Sequence, residues 1–152
     1  MAYTESEARQ QLLDDLGRAI DRLAAGLAFL GAAYEQLDEH ASEQLEEHLF
    51  RPAQQAYGRL QRTHNEFSDR NGLPRRAFAA ASPGLASQGP GELLERTADA
   101  IAEADDAVGA LQDSMLPVEV GDLELRNGLS EARVTLDGVP ARARELVRMI
   151  GR

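Results

Sequence analysis

Four stretches of the chain repeat apolar residues at alternating three- and four-residue steps. The first runs Leu13, Leu16, Ile20, Leu23, Leu27, Leu30, Tyr34, Leu37 and Ala41. The second, less regular, carries Leu45, Leu49, Ala53, Ala56, Leu60, Thr63 and Phe67. The third is Leu94, Thr97, Ile101, Ala104, Val108, Leu111 and Met115, and the fourth is Leu125, Leu129, Ala132, Leu136, Val139, Ala143, Leu146 and Ile150. A strand alternates faces every second residue and cannot use this rhythm, whereas a helix places such residues on one stripe. A stripe of this kind has to be buried against others like it. The chain therefore reads as all-α: an elongated, antiparallel, up-down-up-down four-helix bundle in a single domain over residues 1–152.

Local signals set the expected boundaries at about residues 4–39, 42–70, 91–116 and 118–150. Thr4 followed by Glu7 has the spacing of a capping box. No Gly or Pro lies between Gly31 and Pro52, so a turn near Glu39–Ser42, with Ser42 as the next cap, competes with one unbroken helix. Pro52 lacks an N–H and should kink helix 2 near His48. Asn71-Gly72 followed by Pro74 closes helix 2. Residues 72–90 read as a long loop between helices 2 and 3, unusual in length for a bundle. Gly138 and Pro140 interrupt the fourth stretch, but its ladder keeps register across them, which predicts one kinked helix.

Composition excludes several classes of function. All sixteen cationic side chains are arginines, so lysine chemistry is absent, and with no cysteine so are disulfides and thiolate catalysis. The net charge of −10 disfavours binding to nucleic acid or an anionic membrane and suits a basic protein partner. No apolar run approaches the length of a membrane span. The first residues show no basic stretch leading into an apolar one, so a cytoplasmic location is expected. No Gly-x-Ser-x-Gly or phosphate-loop pattern occurs, and no cofactor is implied. The expectation is a non-enzymatic protein.

Two features point to interaction. Between Leu23 and Tyr34 helix 1 is apolar or small all round, so a second face covers itself within the bundle or meets a partner or a second copy. Gly26, Phe29 and Ala33 are its candidate contact residues. The loop is the reverse in character: it lacks carboxylates from Asp69 to Glu92 and carries Arg75 and Arg76, with Phe78 and Leu85 as apolar handles. It reads as a partner-binding or anion-binding loop, a strap folded back on the acidic bundle, or a flexible linker.

These residues support a protein–protein interaction module, either an adaptor or an acidic partner of a basic protein, with a homodimer as a further form. The alternative is a small-ligand or metal-binding bundle with a sensory or redox role. Its metal candidates are His40, Glu43 and Glu47, which share a helical face. The Glu-x-x-His pairs of carboxylate metal bundles are absent, so a solvated acidic face explains these residues as well.

Overall fold

The computed structural model describes residues 4–84 and 88–151, and all regular structure among them is helical. The elements are α1 (Glu5–Tyr34), α2 (Glu39–Leu45), α3 (Arg51–Arg70), α4 (Pro90–Asp113), α5 (Leu116–Glu119), α6 (Leu123–Leu136) and α7 (Val139–Ile150). No helix among the described residues is long and apolar enough to cross a membrane.

The expected capping box opens α1: the Thr4 hydroxyl accepts from the Glu7 N–H at 3.1 Å, and the Glu7 carboxylate accepts from the Thr4 N–H at 3.4 Å. The helix ends at Tyr34 rather than near 39, because Asp38 rather than Ser42 caps α2. Its carboxylate accepts from the Ala41 N–H at 2.8 Å. That choice puts Ala41, Leu45 and Leu49 on one buried face.

A single π-helical turn, Glu46–Phe50, joins α2 to α3. Here the Arg51 N–H reaches back five residues to the Glu46 carbonyl. Pro52 has no N–H to offer His48, and the Arg142 guanidinium of α7 donates to the His48 carbonyl instead, at 3.3 Å. The expected kink is thus a widened turn with a side chain filling the vacancy.

The fourth stretch departs further from expectation. Met115 enters the left-handed region at φ +71° and stops α4, and the short α5 comes next. Asp122 then caps α6, accepting from the Leu125 N–H at 2.8 Å. The single kinked helix expected to about residue 150 is two helices. Gly138 takes φ +78° between them, and Pro140 lies in the first turn of α7. Register survives the break, for Leu136, Val139, Ala143 and Leu146 are all buried.

Cross-helix contacts fix the direction of each element. Along α1 and α4, Arg9 donates to the Val120 carbonyl at the end of α5, Arg22 pairs with Glu103, and Gln36 donates to the Gln88 carbonyl just before α4. These two helices are antiparallel. So are α1 and α3: Leu13 shares a cleft with His64, while Ala24 and Ala28 share another with Phe50 and Gln54. Arg70–Asp122 and Arg59–Glu131 set α6 against α3. Arg133–Asp105 and Arg144–Asp99 set α6 and α7 against α4. Since α3 and α4 both oppose α1, they run parallel to each other.

The chain order is therefore up-down-down-up, which corrects the expected up-down-up-down order. The physical reason is the connection itself. Residues 71–89 could extend to about 60 Å, against roughly 36 Å for the 24-residue α4. The segment returns along the bundle as a strap rather than turning back at once. One continuous aliphatic core, with Phe67 as its largest member, draws on every long helix. Leu85, read from sequence as an apolar handle, lies outside the described residues.

Candidate functional site

The two interaction features read from sequence meet at one place. The apolar second face of α1 divides into two flanks. On one flank, a Cβ at Gly26 would lie 3.0 Å from Ile101 and 3.6 Å from Ala100, so glycine lets α4 approach closely. Ala33 is fully buried and Phe29 half-buried against the core. Gly26 and Ala33 are thus consumed inside the bundle, which corrects their reading as partner contacts. The other flank, Ala24, Leu27 and Ala28, faces Phe50, Gln54 and Tyr57 of the α2–α3 rod. The strap crosses above with Phe78, Ala80 and Ala81, and a cavity of about 340 Å³ remains between them.

The basic residues hold the strap to the bundle. The Asn65 side chain donates to the Arg76 carbonyl and accepts from the Arg76 N–H, each at 2.9 Å. The Arg76 guanidinium reaches both carboxylate oxygens of Asp21 at 2.8 Å and lies 4.6 Å from the Phe78 ring centroid. Phe78 meets His64 edge-on at 5.1 Å. Arg75 pairs with Asp69 at 2.6 Å. Both arginines expected to face an outside anion or partner are answered by carboxylates of their own chain. His64 is buried, and burial depresses its pKa; Arg76 depresses it further, while Asn65 and the Leu13 backbone oppose the shift. Burial likewise pushes the Tyr57 hydroxyl up, with the Asp21 charge adding to it.

A second surface is defined by charge. Between Glu35 and Glu47 the sequence has six carboxylates and no arginine, which is −6 of the net −10. Tyr34, Leu37, Glu39, Glu43, Glu46 and Glu47 help to line a cleft of about 810 Å³ at the α1–α2 corner, bounded by Arg51. Tyr34 is 45% exposed there. Elsewhere among the described residues ten arginines pair with carboxylates. At the corner the one contact of this type joins Glu47 to its neighbour His48, at 3.9 Å. From sequence alone this run reads as an ordinary wet face; the signal in it is the absence of interleaved arginine.

His40, Glu43 and Glu47 are all exposed on this corner, and among the described residues no group of three or more His, Asp or Glu is arranged to hold a metal ion. A smaller cavity, about 330 Å³, lies beside the π-turn, where His48 and Leu49 face Arg142, Leu146 and Met149. Compared with known proteins, the chain matches no family model, no curated protein and no solved structure.

Proposed function

We propose that the protein is a non-enzymatic interaction module that receives a basic segment of a partner protein in the acidic corner. The supporting observation is the local charge: five carboxylates line an open cleft, and among the described residues none of them pairs with an arginine, whereas ten arginines pair with carboxylates elsewhere. Tyr34 and Leu37 supply apolar area for the stem of an arginine or lysine. A second copy is a poor occupant, since each brings a net −10. The corner favours fast, salt-sensitive encounter over high affinity, because exposed charges are screened beyond about 8 Å at physiological salt.

The test is titration of a fluorescent arginine-rich decapeptide, read by anisotropy at about 50 and about 200 mM salt. Glu39→Gln/Glu43→Gln/Glu46→Gln removes three corner charges. At about 1 kcal/mol per close pair in water, less screening, binding should weaken by about tenfold or more. A matched variant, Asp106→Asn/Asp113→Asn/Glu119→Gln, removes three exposed charges elsewhere and should change binding far less. Equal weakening in both variants would reduce the effect to net charge and refute the reading.

The cavity beside the π-turn favours a second reading, a small-ligand-binding bundle. Its size falls at the low end for such sites. Thermal-shift screening with Leu146→Phe, which fills the cavity, tests it; a hit unaffected by that substitution would count against this site.

A further inference from the structure

The strap is itself an occupant, and its contacts report what the α1–α3 groove recognises. Its guanidinium lies half-exposed at the rim of the groove, beside α1. Gly17 and Asp21, one turn apart on α1, supply clearance and counter-charge, and a Cβ on Gly17 would lie 2.7 Å from Arg76 Nη1. Two residues on, Phe78 takes an aromatic position between His64 and the Arg76 guanidinium. Beyond Phe78 the match fails. The strap presents only Ala80 and Ala81 to a groove floored by Leu27, Phe50 and Tyr57, which leaves the cavity of about 340 Å³. Among the described residues the strap makes no backbone–backbone hydrogen bond from Pro74 to Gly84; its backbone is held here mainly by Asn65.

We propose that this groove is a docking site for an Arg-x-aromatic segment of a protein partner, with the strap as a resident, underfilling competitor. The partner carries large apolar side chains two and three positions after the aromatic residue. They fill the space that Ala80 and Ala81 leave, while its arginine replaces Arg76 on Asp21. The bidentate pairing at Asp21 and the stacking on the aromatic ring favour arginine at the first position, and the unfilled volume favours bulk at the end. The site is separate from the acidic corner and does not depend on it.

The probe is a fluorescent peptide of strap sequence 74–83 with leucine at the positions of Ala80 and Ala81, titrated into the full-length protein by anisotropy. A tethered competitor lowers apparent affinity by the fraction of time the groove is open. Arg76→Ala/Phe78→Ala in the protein should therefore tighten peptide binding by about tenfold or more. Adding Asp21→Asn should abolish that gain, and a peptide with alanine for the arginine corresponding to Arg76 should bind weakly to every variant. Should the double variant lose its helical signal, Arg76→Gln alone provides the same comparison. Peptide binding equal in wild-type and strap-released protein, or indifferent to Asp21→Asn, would overturn the proposal.

Discussion

The close approach of α6 to α3 predicts a glycine that resists replacement. Gly128 of α6 faces Thr63 of α3. A Cβ at Gly128 would lie 2.8 Å from Thr63 Cγ2 and 3.0 Å from Thr63 Cβ, and closer still to Oγ1. Ordinary carbon contacts begin near about 3.5 Å. The threonine cannot turn aside freely: its hydroxyl donates to the Arg59 carbonyl at 2.8 Å and accepts from the Arg59 guanidinium at 3.1 Å. Gly128→Ala must therefore push α6 off α3, an overpacking cost near the upper end of about 1–3 kcal/mol. Alanine's better helix propensity returns about 1 kcal/mol, for a net loss of about 2 kcal/mol. In a domain of this size that lowers Tm by about 4–8 °C. Thr63→Ala removes the two nearest atoms and should cost about 1 kcal/mol alone. The double variant should be close to Thr63→Ala, a coupling of about 2 kcal/mol. Urea unfolding followed by circular dichroism measures all four corners of the cycle. Gly128→Ala at or above wild-type stability, or simple additivity with Thr63→Ala, would refute the close-packing argument.

Gly31 presents the opposite case within α1. Nothing lies within 4 Å of where its Cβ would stand, so Gly31→Ala should raise stability by about 0.5–1 kcal/mol; a loss in urea unfolding would contradict the open surface described there. His64, whose pKa is depressed chiefly by burial, binds fewer protons folded than unfolded. The stability present above its unfolded pKa of about 6.5 is lost as pH falls below that value and through the depressed folded pKa. Wild-type urea midpoints should drop between about pH 7 and about pH 5, and His64→Gln should flatten that dependence; an unchanged slope would show that other groups set it.

The ladder makes the helices legible because burial enforces a period on every residue of a face. Periodicity carries no information about the order in which faces meet, so helix direction has to come from elsewhere. The clue is the connection after Gly72, too long for a tight turn and long enough to traverse the bundle. Helix boundaries slip where two caps compete, as at Asp38 and Ser42, and where Gly138 breaks a helix without disturbing its register. The Asp21–Arg76 pair is invisible in the sequence because the two residues are distant in the chain. Its local trace is Gly17, a helix-interior glycine that propensity does not explain. Gly26, Gly109 and Gly128 leave the same trace where Ile101, Arg133 and Thr63 cross them.

Parallel α3 and α4 require a connection that runs the length of the bundle, and a strap of that kind needs a track. The second apolar face of α1 is that track in part: Ala24, Leu27 and Ala28 are covered by Phe78, Ala80 and Ala81, while Gly26 and Ala33 turn toward the interior. An excess of apolar surface on α1 is therefore a consequence of topology before it is an argument for a partner. What topology does not require is the manner of covering. A strap selected only for stability would fill its groove with larger side chains, since each buried methylene contributes about 0.8 kcal/mol. This one fits closely through Arg76 and Phe78 and then leaves space beneath Ala80 and Ala81. It also answers Asp21 with an arginine, while among the described residues the carboxylates of Glu35–Glu47 receive none. At the unfilled groove and at the arginine-free corner, the fold's own requirements stop short of explaining the residues present.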